Sequence, residues 1–142
     1  MIVAVCDTNV LAPALRGVGN PDNRLGDVLR QWRAGRFQLV VSQPILDELR
    51  RTLANPYFAR FLSADQQVRA LALLQRRALV VTITVQVHGV ATHPEDDLIL
   101  ATAASAKADY LVTGDEKLLR LGSFHGVRIV TPRTFLDVLA RQ

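Results

Sequence analysis

The sequence holds a single cysteine, Cys6, in 142 residues. No disulfide framework can form within the chain, and a lone thiol fits a reducing compartment. No apolar run approaches the ~20 residues that a membrane-crossing helix needs. Met1 runs straight into a strand-like segment, so no ordinary signal peptide is expected and the cytoplasm is the expected compartment. Histidine is scarce too. His88, His93 and His125 lack metal-ligand spacing and a neighbouring nucleophile pattern, and they read as loop residues. Neither a Walker loop nor a G-x-G-x-x-G turn occurs, which sets aside nucleotide-cofactor chemistry.

What is present is ordinary in bulk and uneven in charge. The length suits one domain over residues 1–142, and 49% hydrophobic against 21% charged residues describes a globular chain able to fold without a staple. Seventeen basic residues against thirteen acidic give +4, and fifteen of the cations are Arg. An Arg-rich, basic surface points to a polyanionic partner, although genome composition accounts for Arg usage equally well.

Hydrophobic periodicity switches repeatedly between short apolar runs and helical patterns. Residues 2–6, 37–41, 79–83, 110–112 and 127–130 read as strands, the first being short, β-branched and unalternated like a fully buried strand. Helices are expected after the first strand and over 22–34, 43–53, 64–77, 96–107 and from Pro132 to Leu139. A short helical piece is expected just before residue 64. Ser42 and Thr131 are placed as N-caps, each with a proline inside the first turn that follows. Strands alternating with helices imply an α/β fold, a parallel sheet of about five strands with helices on both faces.

In such a fold the carboxyl ends of the strands and the starts of the following helices share one edge, where ligands bind. Four chain segments deliver acids to it. Asp7 follows the first strand, and Glu48 lies in the second turn of the helix after the second. Asp96 and Asp97 open the helix that leads to the fourth strand, and Asp115 follows that strand. Singly, each acid reads as a helix cap, a partner for the helix dipole or a solvated residue. Together they repel one another, and a hard divalent cation removes that cost. Helical phase sets Glu48 beside the apolar stripe Ile45, Leu46, Leu49, Leu53. It favours Asp96 as the inward acid, with Asp97 as the alternate.

These residues carry a resemblance. Val5-Cys6-Asp7-Thr8-Asn9-Val10-Leu11 is similar to the opening motif of PIN-domain nucleases. The segments 42–49, 94–103 and 110–115 resemble that family's second, third and fourth acid segments, in order. The closest likeness is to bacterial and archaeal members classed as toxins of toxin–antitoxin pairs. His93 stands where relatives often carry an Asp.

The resemblance implies a three-layer α/β/α fold with a five-stranded parallel sheet in the order 3-2-1-4-5. It also implies metal-dependent endoribonuclease activity on single-stranded RNA, a small antitoxin partner and a homodimer. Oxygen-only ligands select Mg²⁺ or Mn²⁺ over zinc. By motif position Asp7 and Asp96 are direct ligands. Asp115 holds a ligand or a bound water, and Glu48 ligates a second ion or orients the nucleophile. Thr8, Asn9 and Thr113 are candidates to fix the carboxylate rotamers, although for Thr8 and Asn9 a local helix start serves as well. An acid pocket repels RNA, so Arg16, Arg50, Arg51, Arg76, Arg77 and Lys117 are candidate phosphate contacts, Arg50 and Arg51 foremost. Aromatic residues amount to 6%, and Trp32, Tyr57, Phe58 and Phe61 read mostly as core, so no base preference is legible.

Three other classes compete. A phosphoryl-accepting receiver needs a Lys after the last strand, where this chain has Thr131-Pro132-Arg133. An Asp-x-Asp phosphatase fails because position 9 is Asn. A non-catalytic PIN-fold module that binds RNA or a partner is the alternative to the nuclease, and the presence of all four acids argues against it.

Overall fold

The apolar run at the amino terminus forms strand β1, Val3–Cys6, whose residues Ala4, Val5 and Cys6 are fully buried in the computed structural model. The structure describes residues 1–91 and 93–142. A β-strand turns alternate side chains to opposite faces, so three consecutive buried residues mean that both faces of β1 are covered. The chain continues through helices α1 (Thr8–Gly17) and α2 (Arg24–Arg33) to β2 (Gln38–Val41). Helices α3 (Gln43–Ala54), α4 (Pro56–Ala59) and α5 (Ala64–Arg77) lead to β3 (Leu79–Val80). Then come α6 (Pro94–Ser105), β4 (Tyr110–Val112), α7 (Glu116–Leu121), β5 (Ser123–Phe124), β6 (Val127–Val130) and α8 (Pro132–Ala140).

The sheet order is β3-β2-β1-β4-β6-β5. Its five parallel strands follow the expected 3-2-1-4-5 order, with β6 as the expected fifth strand. The difference lies at one edge. β5 adds an antiparallel partner to β6, which makes the sheet mixed. His125 and Gly126, at φ 50° and 80°, make the two-residue connection. Positive φ at both positions is the turn geometry that suits the twist of a hairpin.

Two expectations shift. The third strand pairs only over Leu79–Val80, both exposed, and not to residue 83. The amides of Thr84 and Val85 donate to Ser105 Oγ on α6 (2.9 and 3.0 Å), which draws the chain off the sheet. Ser42 occupies the N-cap position of α3 but makes no cap bond. Its buried hydroxyl meets Thr102 Oγ1 at 2.8 Å and ties α3 to α6. α1 and α2 pack closely, because Gly26 lies against the Gly17 carbonyl, where a Cβ would stand 2.6 Å from that oxygen. Phe37 and Phe135 meet edge to face at 4.9 Å and close the core under α8.

Candidate active site at the carboxyl edge of the sheet

β1 and β4 lie side by side, and the Asp7 amide donates to the Val112 carbonyl at 2.9 Å. This pairing carries Asp7 and Thr113 to the same edge. Asp7 holds the N-cap position of α1 without a side-chain cap bond. Its carboxylate is turned inward instead: it is only 3% exposed, and Thr113 Oγ1 donates to Oδ2 at 2.8 Å. Thr8 Oγ1 donates to Glu48 Oε1 at 2.8 Å and stands 3.4 Å from Asp7 Oδ1. A hydroxyl has one proton, so the shorter contact takes it and Thr8 links α1 to α3 across the two acids.

Thr113 and Asn9 knit the other side. The Asp115 amide donates to Thr113 Oγ1 at 3.0 Å, and the Gly114 amide donates to Asn9 Oδ1 at 3.2 Å. Asn9 Nδ2 also reaches Thr113 Oγ1 at 3.4 Å. Thr8, Asn9 and Thr113 therefore all touch the acid-bearing segments, and Thr113 is fully buried among them. Asp115 accepts from the Lys117 amide at 2.9 Å and caps α7 while facing the edge.

The pair at the start of α6 separates cleanly. Asp97, 7% exposed, accepts three backbone amides: Gly89 at 2.9 Å, Val90 at 3.2 Å and Ala91 at 2.7 Å. Its carboxylate is committed to the loop before α6, so Asp97 does not stand as an alternate for the inward position. Asp96 is half-buried and has no hydrogen-bond donor among the described residues. Burial, then the charges of Asp7 and Asp115, push Asp96 up to about 6, with Glu48 adding to the rise and His93 opposing it. Burial likewise raises Glu48 against the Thr8 hydrogen bond, and raises Asp7 against the Thr113 hydrogen bond. Asp96 thus feels Asp7, Asp115 and Glu48 as like charge, and Glu48 feels Asp7. Cys6, one residue from Asp7, is pushed up to about 12 by burial and then by that carboxylate, so its thiol stays neutral and inert.

Two clefts flank the cluster. One, of about 240 Å³ between α3 and α6, is lined by Glu48, Arg51 and Glu95. The other, of about 320 Å³ between α6 and α7, is lined by Asp96, Asp115, Lys117 and Arg120 with Val90 and Leu121. Glu95 was not singled out from the sequence, yet its charge raises Glu48. Its signal was its place in the acidic run at the start of α6.

The candidate cations sort by position. Arg51 and Lys117 line the clefts. Arg50 is paired with Asp47 at 3.1 Å. Arg16 lies at the far end of α1. Arg76 and Arg77 end α5 just ahead of β3, at the opposite edge of the sheet, and do not join the acids.

Among the described residues no three His, Cys, Asp or Glu side chains stand close enough together to hold a metal ion as they are placed. The donor set itself fits a hard divalent cation: every candidate is a carboxylate, burial raises three of them with like charges adding to the rise at Glu48 and Asp96, and among the described residues the one thiol beside them is inert.

A family model described as a PIN domain matches residues 3–117, a span that includes all four acids. No curated protein matches the sequence. Among solved structures, the chain is similar to VapBC-1 from nontypeable Haemophilus influenzae, with 18% identity, a TM-score of 0.59 and 93% of this chain and 99% of that one covered. It is also similar to VapBC2 from Rickettsia felis, described as bound to a DNA fragment from their promoter, with 16% identity, a TM-score of 0.58 and 90% and 97% covered. FitAB bound to the IR36 DNA fragment matches at 23% identity and a TM-score of 0.53, over 91% and 94%. At these identities the likeness is one of fold.

Proposed function

Since the chain belongs to the PIN domain family, a family of nucleases in general, we propose that it is a metal-dependent endoribonuclease that hydrolyses single-stranded RNA. The observation that carries this reading is the braced cluster of Asp7, Glu48, Asp96 and Asp115, electrostatically coupled at the carboxyl edge of the sheet. Asp7 and Asp96 would hold Mg²⁺ or Mn²⁺ directly, with Asp115 adding an oxygen donor to the ion or to a water bound to it. Such an ion neutralises the scissile phosphate and lowers the pKa of an attacking water.

The chain's own groups have distinct tasks. Thr113 fixes the Asp7 rotamer through Oδ2, and Thr8 fixes Glu48 through Oε1. Glu48, with its raised affinity for a proton, orients the attacking water and accepts its proton at the carboxylate. Arg51 and Lys117, one in each flanking cleft, hold backbone phosphates on the two sides of the cut. The structures similar in fold carry two-component names, VapBC and FitAB. This supports the further reading that the chain is the toxin of a toxin–antitoxin pair, masked by a small antitoxin; we infer besides that it works as a homodimer in the cytoplasm. No described helix is long and apolar enough to cross a membrane.

The test is cleavage of single-stranded RNA by purified protein with Mn²⁺ or Mg²⁺. Asp7→Asn and Asp96→Asn should each lower the rate roughly a hundredfold or more while leaving the circular dichroism spectrum unchanged. Wild-type cleavage by either variant overturns the assignment, and RNA binding by the wild type without any cleavage would favour the non-catalytic module.

A further inference from the structure

Away from the acid edge, the short helix α4 and the end of α1 carry a cluster that the reading above does not use. Tyr57 and Phe61 are each 47% exposed, unusual for two large aromatics in a chain that has so few. Arg16 reaches them from α1. Its guanidinium carbon lies 3.7 Å from the Phe61 ring centroid and 5.3 Å from that of Tyr57, and its Nη1 donates to the Tyr57 hydroxyl at 2.7 Å. Arg60 approaches the same rings at 6.0 and 5.9 Å. Among the described residues neither Arg16 nor Arg60 makes an ion pair with a carboxylate. The half-buried Phe58 meets Tyr57 edge to face at 5.0 Å and anchors the group to the core.

We propose that Arg16, Tyr57, Arg60 and Phe61 form a second contact site for single-stranded RNA, where a base stacks on the aromatic–guanidinium layer and the two cations, which have no carboxylate partner, hold its phosphates. Half-exposed aromatic rings layered with Arg that has no carboxylate partner are the pattern that sequence-tolerant single-strand binding uses. An apolar protein partner would leave both guanidinium charges unanswered, whereas a polyanion answers them. Arg16 lies eight residues along α1 from Thr8, about 12 Å at the helical rise. That is about three to four stacked nucleotides at 3.4 Å each. The cluster would therefore engage RNA beyond the scissile phosphate and favour long substrates over short ones. This inference rests on the RNA-cleaving reading above.

The test measures binding of a fluorescein-labelled 12-nucleotide oligoadenylate to the full chain by anisotropy, in EDTA so that nothing is cut. Y57A/F61A should weaken binding about tenfold, and Y57F/F61Y, which keeps both π-faces, should bind like the wild type. R16Q/R60Q should lower the slope of log affinity against log salt by about 1.4. Equal binding by Y57A/F61A and the wild type overturns the proposal. So does a lowered melting temperature with intact binding, which makes the cluster a staple between α1 and α4 or a surface for a protein. Failure of the wild type to bind the oligonucleotide also overturns it, and cleavage of the same oligonucleotide with Mn²⁺ then shows separately whether the acid edge cuts RNA.

Discussion

Asp96 and Asp97 are adjacent in sequence and opposite in circumstance. Asp97 has three amide donors, whereas Asp96 has burial and three other carboxylates pressing on it. A carboxyl raised to about 6 in the native state binds its proton more tightly folded than unfolded. The stability it contributes is full below its ordinary value of 3.8 and is lost as pH rises through about 6. Asp7 and Glu48 are shifted in the same direction and reinforce the trend. The metal-free protein should therefore melt at a higher temperature at pH 5 than at pH 8. Asp96→Asn should flatten that difference, and Mn²⁺ should raise the pH 8 melting temperature of the wild type more than that of the variant. Thermal melts in EDTA and in Mn²⁺ read all three. A melting temperature that rises from pH 5 to 8 in the wild type, and equally in Asp96→Asn, would show that the cluster is not coupled.

At the scale of elements, α6 is the strut that shapes the site. At its start Asp97 holds the amides of Gly89, Val90 and Ala91, and at its end Ser105 holds those of Thr84 and Val85. Residues 84–85 and 89–91 are held by these two side chains, and Val90 and Ala91 form a wall of the α6–α7 cleft. Asp97→Ala removes a charged acceptor from three amides, of which solvent replaces part, so a loss of about 2 kcal/mol is expected. Hydrogen exchange should quicken at residues 89–91 and leave β1 unchanged. Unaltered exchange there would mean that the loop is held by something else.

The same element shows what the sequence makes legible. The strands of the parallel sheet are readable because burial on both faces demands runs such as Val3-Ala4-Val5-Cys6, and topology alone then brings Asp7 and Asp115 to one edge. The local partner of a side chain is not readable in this way. Ser42 has the residue type of an N-cap, yet its hydroxyl is claimed by Thr102, sixty positions away. Residues 81–83 have β-branched character but lie at a sheet edge, where Ser105 captures the following amides. Tyr57 and Phe61 look like core by composition, and the placement of α4 and the turn after it on the surface exposes them.

For the molecule as a whole, the net charge of +4 averages two opposed regions. Four of the thirteen acids converge on one edge, so the remaining surface is more basic than the average. An uncompensated acid edge repels the phosphates it would cut, and the flanking cations must outweigh that repulsion over the approach of the strand. The cations are not equivalent in this task. Arg50 is already answered by Asp47, an exposed i,i+3 pair, whereas Arg51 faces the cleft that holds Glu48 and Glu95. A phosphate contact from Arg51 releases a counterion from the strand, while one from Arg50 must first give up its internal partner. With an Asp7→Asn background to suppress cutting, Arg51→Gln should reduce the slope of log affinity for single-stranded RNA against log salt by about 0.7. Arg50→Gln should change the slope by much less. A titration from low to moderate salt separates the two, and an equal loss of slope from both would mean that the strand follows the outer face of α3 and not the α3–α6 cleft.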